Sequence, residues 1–252
     1  MPLLEAKGMG IDFGGLRALS DFEIEIMPNE LIGLIGPNGS GKTTTFNLLT
    51  GVYAPTEGDI IFDGKSIAGK KPYYINNLGI ARTFQNIRLF KGLSVIENVK
   101  TAFHAQMKYG VISGILRLPQ YWREESATHT KALELLSVFD MEDMADMNAG
   151  NLPYGKQRQL EIVRALATHP KLLLLDEPAA GMNPSETQLL MDTIKLIRER
   201  FGIAILLIEH DMKLVMGICE RMVVLDYGMI IASGKPEDIK NNPRVVEAYL
   251  GE

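Results

Sequence analysis

The chain has one cysteine, Cys219, among its 252 residues. An intrachain disulfide or an all-cysteine metal cage is therefore excluded, and a cytoplasmic location fits. The longest uninterrupted apolar run is Ile203–Ile208, which is far shorter than the ~18–20 residues that span a bilayer. The first residues lack the basic start and continuous apolar stretch of a secretory signal, so we expect Met1 to begin the mature protein.

The chain also has no excess of positive charge. It has 26 Lys and Arg against 31 Asp and Glu, a formal charge of −5. Such a chain offers no long-range attraction to polyanions, which argues against nucleic acid as its main partner. Its 46% hydrophobic content is typical of a globular protein with a sizeable core. The length allows one large α/β domain, or a core with a smaller subdomain.

Hydrophobic patterning predicts two kinds of strand. Residues 22–26 alternate between apolar and acidic side chains, which is typical of a strand with one solvated face, so two or three antiparallel strands are expected to open the fold. Leu31–Ile35, Leu172–Leu175 and Ile203–Ile208 are uninterrupted apolar runs, as in strands covered on both faces. Helical spacing over Pro184–Phe201 joins the last two runs and predicts a parallel central sheet.

Residues 91–165 contain no run that resembles a buried strand. Helical patterning over Glu124–Phe139 and Lys156–Ala167, interrupted by Gly110, Gly114 and Pro119, predicts a mainly helical subdomain inserted into the core. After residue 210 the sequence predicts a helix at Met212–Cys219, a hairpin at Met222–Ser233 and a helical tail.

One segment matches the phosphate-binding pattern G-x-x-x-x-G-K-[ST], after a predicted strand and before the helical Thr43–Thr50. Its glycines allow backbone N–H groups to surround a phosphate, and the helix N-terminus adds a favourable dipole. In this pattern the lysine neutralises β/γ charge and the hydroxyl of the final threonine binds Mg²⁺. The predicted nucleotide-binding residues are Gly36, Pro37, Asn38, Gly39, Ser40, Gly41, Lys42, Thr43 and Thr44.

Two adjacent acids, Asp176 and Glu177, end the apolar run Leu172–Leu175. Carboxylates at the end of a buried strand are costly unless they meet a cation or a reacting water. Side chains alternate along a strand, so the two acids can hold different roles. We expect Asp176 to be a magnesium partner and Glu177 to be the general base that polarises the attacking water.

With Gln85 in Arg82–Gln85 and His210 in Ile208–Asp211, these motifs make the chain resemble an ABC-type ATPase. The resemblance implies an α/β P-loop NTPase with a mainly parallel core sheet, an N-terminal antiparallel β subdomain and a helical subdomain at roughly 88–165. Residues 1–252 would then form a single cassette.

The resemblance also implies roles for individual residues. Phe13 is similar to the aromatic residue that stacks on adenine, Gln85 to the glutamine that reaches magnesium and water, and His210 to the histidine that contacts the γ-phosphate. Lys42 would join Glu177, His210 and Gln85 in catalysis, and Thr43, Gln85 and Asp176 would bind Mg²⁺. His104, His129 and His169 belong to no such constellation.

The family's signature segment, usually Leu-Ser-Gly-Gly-Gln, is here Leu152-Pro153-Tyr154-Gly155-Lys156. The resemblance implies a head-to-tail dimer in which Tyr154, Gly155 and Lys156 face the partner subunit's ATP. Pro153 lacks the usual serine hydroxyl. Lys156 either supplies a compensating charge or is solvated. Asn183, in the loop from Ala180, stands where the family more often has aspartate.

Further features resemble the LivG-type ATPases of branched-chain amino-acid importers: Leu152–Ile162, the Ala-Gly-Met-Asn-Pro loop, an extended stretch at 105–125 and the ending Val246–Glu252. The subfamily implies permease subunits in the membrane, a second ATPase subunit that is a paralogue or a second copy, and an indirect solute-binding protein. It places the chain in the cytoplasm, on the inner face of the membrane. The stretch 105–125 is either partner-facing or an ordinary packed insertion.

Three alternative functions are compatible with parts of this pattern. The ATPase of a lipid or lipopolysaccharide exporter shares all the core motifs. A repair or ribosome-associated ABC ATPase would add long coiled coils or a second cassette, and neither is present. A nucleotide sensor that does not hydrolyse ATP would be expected to lack Glu177 or His210.

Overall fold

The computed structural model of the chain describes residues 1–104, 113 and 115–250. The chain divides into two compact units, one formed by Met1–Gln85 with Pro170–Glu252 and the other by Asn86–His169. The range predicted for the helical insert lies inside the second unit. Within the described residues, no helix is both long enough and apolar enough to cross a membrane.

The secondary-structure elements are numbered here in chain order. The strands are β1 (Leu4–Phe13), β2 (Leu16–Ile26), β3 (Leu31–Ile35), β4 (Glu57–Phe62), β5 (Lys65–Ser66), β6 (Ile80–Arg82), β7 (Leu172–Asp176), β8 (Ala204–Ile208), β9 (Arg221–Asp226) and β10 (Met229–Gly234). The helices are α1 (Lys42–Leu49), α2 (Pro72–Leu78), α3 (Val95–Phe103), α4 (Pro119–Ser137), α5 (Tyr154–Leu166), α6 (Pro184–Phe201), α7 (Met212–Ile218), α8 (Pro236–Lys240) and α9 (Pro243–Leu250).

The first unit contains two sheets. The smaller has the order β2-β1-β4-β5 and is antiparallel, which confirms the predicted N-terminal β subdomain. The larger has the order β10-β9-β3-β8-β7-β6 and is parallel except for the β9–β10 hairpin. One buried cluster, which includes Phe22, Phe46 and Phe62, contains side chains from both sheets and α1. The fold class predicted from the sequence is therefore correct.

The parallel sheet brings the candidate site together at one edge. Every residue of β3, β7 and β8 is buried, as their uninterrupted apolar sequences require. Leu34 and Asp176 are both register partners of Ile208. The loops that follow these three strands therefore leave the sheet at the same edge, where parallel sheets bind ligands.

Most predicted boundaries agree with the structure to within two residues, and α6 begins and ends where it was predicted. The exception is α4, which was predicted to begin at Glu124 but begins at Pro119. Pro119 was wrongly interpreted as an interruption, because proline is well suited to the first turn of a helix. Gly110 and Gly114 lie outside the described residues.

The second unit is helical in its described part. Helix α3 packs against both α4 and α5, and a capping box of Ser94 and Glu97 begins it. Of the stretch 105–125, residues 105–112 and 114 lie outside the described residues. In the described remainder, Ile115, Leu116 and Trp122 are more than half exposed, so these side chains do not belong to a packed interior.

Candidate active site

The phosphate-binding loop connects the central strand β3 to α1. Gly36 has a φ of +150°, and a Cβ atom there would lie 2.0 Å from the carbonyl oxygen of Leu225 on the neighbouring strand. Gly41, the residue before α1, has a φ of +107°. Both positions require glycine, the first for space and the second for its left-handed backbone. The loop conformation is therefore determined largely by the glycines of this segment.

Lys42 extends beneath this loop. Its Nζ atom donates hydrogen bonds of 2.7 Å to the carbonyl oxygens of Gly36 and Pro37 and lies 3.5 Å from Ser40 Oγ. The side chain is buried, whereas Thr43 on the following position is exposed. The ammonium charge is thus held at the loop beside the N-terminus of α1. The charge and the helix dipole both favour binding of an anion there.

A cleft of about 320 Å³ opens beside the loop, within the size range of small-molecule sites. It brings Glu177 together with the predicted phosphate-binding residues 38–44. Its walls also contain residues of β2 and the tip of the β9–β10 hairpin, which the sequence analysis did not identify. The lining residues are Leu16, Arg17, Ala18, Asn38, Gly39, Ser40, Gly41, Lys42, Thr43, Thr44, Glu177, Tyr227 and Gly228.

Asp176 is the last residue of β7 and is only 5% exposed. Its Oδ2 accepts a 2.6 Å hydrogen bond from Nη2 of Arg82, at the end of β6. Arg82 also donates 2.7 Å from Nη1 to Asn47 on α1, and its guanidinium lies over the rings of Phe46 and Phe84. Arg82 therefore connects β7, α1 and the segment that leads to Gln85, a role that the sequence analysis missed.

The donor set near the loop suits Mg²⁺. Asp176 keeps Oδ1 outside its bond to Arg82, and Thr43 is exposed and lines the cleft. Mg²⁺ prefers such oxygen ligands and binds through one or two side chains together with water and substrate phosphates. Among the residues that the structure describes, no cluster of three or more His, Cys, Asp or Glu could hold a metal alone. The residues fit a metal that arrives with a nucleotide.

Glu177 meets two other predicted residues at one carboxylate oxygen. Its Oε2 accepts a 2.8 Å hydrogen bond from Nε2 of Gln85, and Nδ1 of His210 lies 3.9 Å away. The Glu177 side chain is one-fifth exposed, while the His210 side chain is 65% exposed. The three polar groups that the sequence placed far apart in the chain therefore converge where water can reach them.

The backbone of Glu177 has a φ of +44°, which is unusual for a residue other than glycine. Its N–H donates a 2.9 Å bond to the carbonyl of Ile208 at the end of β8. The loop continues through Ala180–Asn183 to the start of α6. Asn183 caps this helix, because its side chain accepts hydrogen bonds from the N–H groups of Ser185 and Glu186. The side chain at 183 therefore has a structural role as a helix cap, which aspartate would fill equally well.

Phe13 lies at the end of β1 and is 41% exposed. Its ring packs edge-on against Tyr53, with the centroids 5.1 Å apart. It is not among the described residues that line the cleft around the phosphate loop. The side chain is accessible to solvent, and the predicted contact with adenine stays a prediction.

The predicted signature residues belong to the second unit. Pro153 precedes α5, and Tyr154, Gly155 and Lys156 form its first turn. Tyr154 is 42% exposed. Nζ of Lys156 reaches the carbonyl oxygens of Phe139 and Asp140 at 3.4 and 3.5 Å. The sequence left two alternatives for Lys156, a compensating charge or a solvated side chain. The structure adds a contact that neither alternative included, with the backbone that follows α4.

A family model described as "ABC transporter" matches residues 19–180. This chain belongs to the ABC transporter family. A second model, "Branched-chain amino acid ATP-binding cassette transporter", matches residues 229–252 of this ABC ATPase, the segment that contains β10, α8 and α9. As a member of the family, the chain binds and hydrolyses ATP.

Relatives match this ABC ATPase along its whole length. The LivG high-affinity branched-chain amino acid transport ATP-binding protein of Escherichia coli K12 is 47% identical, over 100% of this chain and 98% of LivG. The BraF transport protein of Pseudomonas aeruginosa, also named for branched-chain amino acids, is 44% identical over the same shares. A solved structure of an ABC transporter cassette in its ADP conformation is 31% identical, with a TM-score of 0.87 and full coverage of both chains. The relationship to LivG-type ATPases inferred from the sequence is therefore confirmed.

Proposed function

We propose that residues 1–252 form one cassette that supplies ATP hydrolysis to an importer of branched-chain amino acids. The names of LivG and BraF and the match over 229–252 support this substrate class. A lipopolysaccharide export protein, LptB of Haemophilus influenzae, is 33% identical over 100% of this chain. The identity to the amino-acid transport proteins is clearly higher.

The observation that carries the proposed hydrolysis mechanism is the convergence of Gln85 and His210 on Glu177, beside the cleft that Lys42 and Thr43 line. Backbone N–H groups of the loop and the Lys42 ammonium bind the phosphates. The Glu177 carboxylate accepts a hydrogen bond from the attacking water and takes up its proton as the bond from the water oxygen to the γ-phosphorus forms. The bond from the γ-phosphorus to the bridging oxygen breaks in the same step, and ADP leaves with that oxygen. His210 donates to the γ-phosphate, and Gln85 holds the Glu177 carboxylate and the water in place.

Thr43, Asp176 and Gln85 are the residues that would hold Mg²⁺. When bound, the ion neutralises negative charge on the transferring phosphoryl group. Arg82 gives Asp176 a fixed orientation through one oxygen and leaves the other for the ion. Phe13, which is 41% exposed, would stack on the adenine ring.

We also propose that the cassette acts in a head-to-tail dimer with a paralogue or a second copy. In this arrangement Tyr154, Gly155 and Lys156 would face the ATP of the partner subunit. The N-terminus of α5 would offer its N–H groups and dipole to the γ-phosphate. Permease subunits would carry the solute delivered by a solute-binding protein, with the cassette on the inner face of the membrane.

The assignment of the base is tested by Glu177→Gln. Because glutamine cannot accept the proton, ATP turnover should fall by roughly 100-fold or more, while ATP binding persists. Phosphate release and nucleotide affinity measure the two effects separately. The control is Glu199→Gln, an exposed carboxylate on α6, which should turn over ATP at the wild-type rate. Wild-type turnover in Glu177→Gln would refute the assignment.

The cargo is tested with the intact membrane complex purified through this chain. ATP hydrolysis should rise when a solute-binding protein loaded with leucine is added, and should not rise with the same protein loaded with glutamine. Stimulation by lipopolysaccharide in place of leucine would refute the proposed import of branched-chain amino acids.

A further inference from the structure

We infer that Glu209, which has no role in the proposed mechanism, is a positioning residue that connects the Glu177 loop to the His210 loop. The inference rests on the proposed roles of Glu177 and His210. The Glu209 side chain is completely buried, directly after the buried strand β8. It lies at the sheet edge that carries the reacting groups.

The two carboxylate oxygens of Glu209 serve different loops. Oε1 accepts a 2.7 Å hydrogen bond from the N–H of Ala179, two residues after Glu177. Oε2 accepts a 3.2 Å bond from the N–H of His210. Nδ1 of His210 lies 3.8 Å from the same Oε2. One side chain therefore connects the segment of the general base to the segment of the γ-phosphate ligand.

The Ala179 bond is the second of two hydrogen bonds that attach the backbone of the Glu177 loop to the end of β8 and the residue after it. The first is the bond from the Glu177 N–H to the carbonyl of Ile208, immediately before Glu209. The loop is thus anchored at Glu177 and at Ala179, to Ile208 and to Glu209 respectively. A residue with φ of +44° keeps that conformation only when its surroundings enforce it, and these two bonds do so.

The energetics argue against a passive role. A buried carboxylate is costly without a partner charge, and among the described residues no lysine or arginine pairs with Glu209. Burial accordingly raises the pKa of the Glu209 carboxyl above its usual range. A hydroxyl side chain could accept from one of these N–H groups at a lower cost. Only a carboxylate or an amide offers a separate atom to each loop, and only the carboxylate accepts with both.

The test is Glu209→Gln. The amide keeps one accepting oxygen, but its NH₂ group must face an N–H donor on the other loop. Displacement of Glu177 or His210 by about 1 Å should lower turnover per bound nucleotide by roughly 10–100-fold. ATP affinity should stay within about threefold, since a small displacement affects the transition state more than ground-state binding. Counting turnover per bound nucleotide removes any loss that is due only to unfolded protein.

Amide hydrogen exchange provides a readout independent of activity. In Glu209→Gln, exchange should accelerate in peptides that cover 177–183 and 209–211 and stay unchanged in the phosphate loop. The matched control is Glu186→Gln, because the Glu186 carboxylate accepts from the N–H of Asn183 at the far end of the same loop. This control should loosen the start of α6 and keep turnover within about twofold of wild type.

Several outcomes would overturn the inference. One is wild-type turnover in Glu209→Gln, and another is a loss of turnover that matches a loss of ATP affinity. Unchanged exchange at 177–183 would also contradict it. If Glu209→Gln does not fold, Glu209→Asp, which shortens the connection by one methylene, replaces it with the same expected direction. A wild-type rate in Glu177→Gln would instead refute the proposed base, while the exchange data still decide whether Glu209 holds the two loops.

Discussion

Each of the two units buries an ion pair, and the two pairs are built differently. In the first unit, Arg82 and Asp176 are 94 residues apart, and each side chain is 7% exposed. In the second unit, Arg158 and Glu161 lie one turn apart on α5, with side-chain exposures of 0% and 2%. The first pair connects distant segments at the reacting edge of a sheet, whereas the second lies within a single helix.

Their additional partners extend the difference. Arg82 reaches Asn47 on the helix that follows the phosphate loop, so the pair is part of the site itself. Glu161 accepts a 3.1 Å bond from the N–H of Arg88, which attaches α5 to the segment that enters the second unit. A buried pair is weak evidence of net stability, but removal of one partner is costly. Because the two pairs are similarly buried, breaking either should lower stability by a similar amount. Because only the Arg82–Asp176 pair belongs to the site, only its loss should lower the rate of catalysis.

The largest combined effect is expected from Arg82→Met. It leaves the Asp176 carboxylate buried without its cation, which should lower the free energy of unfolding by about 3–5 kcal/mol. Turnover per bound nucleotide should also fall by roughly tenfold or more, because Asp176 loses its orientation. Urea denaturation and phosphate release measure the two effects.

A surface pair supplies the control for Arg82→Met. Arg198 and Glu220 form an ion pair with side chains 24% and 49% exposed. Arg198→Met should cost less than about 1 kcal/mol and leave turnover unchanged. Equal effects of the two substitutions would show that burial of the Arg82–Asp176 pair has no special importance.

Arg158→Met tests the second pair. It removes the paired cation of the buried Glu161, so the free energy of unfolding should again fall by about 3–5 kcal/mol, or by less to the extent that Arg164, which also interacts with Glu161, compensates. ATP affinity, measured with a fluorescent analogue on the folded fraction, should stay within about twofold, because the phosphate loop belongs to the first unit. A large loss of affinity in Arg158→Met would remove the distinction between the two pairs.

The sequence predicted the parts of the site that depend on neighbouring residues. The phosphate loop, its flanking strand and helix, and the acids after β7 are all short-range patterns, and the structure places them together. Arg82 was missed because its partner lies 94 positions away and no local pattern marks such a contact. Glu209 carried a usable signal, since an acid directly after five buried apolar residues has to find donors.

One other difference came from a local signal that was interpreted wrongly. Pro119 begins α4 rather than interrupting a helix. Asn-Pro-Ser-Glu at 183–186 is a capping-box sequence, a local signal that the comparison with the family's aspartate left unused. The contribution of Tyr227 to the cleft depends on a hairpin that folds back to the loop, where the N–H of Gly228 donates to the carbonyl of Ser40. Only the three-dimensional structure reveals that contact.

The smallest effects are expected at the helix caps, and one cap in each unit can be compared. Asn183 accepts two backbone bonds of 3.0 Å at the start of α6, whereas Ser94 accepts one of 3.3 Å at the start of α3. Replacement of either by alanine should cost about 1 kcal/mol, with the larger loss in Asn183→Ala because it leaves two donors without an acceptor. Urea denaturation of the two variants measures the difference.

Acid titration sharpens this comparison in the second unit. The N–H of Ser94 donates to the Glu97 carboxylate and holds the pKa of Glu97 below its usual value. A lowered pKa in the folded state means that Glu97 stabilises the fold fully above the ordinary pKa of about 4.3. This contribution is lost as the pH falls through the lowered value. The stability difference between wild type and Glu97→Gln should therefore shrink on acidification, and a difference that stays constant with pH would show that the charge of Glu97 does not contribute to the cap.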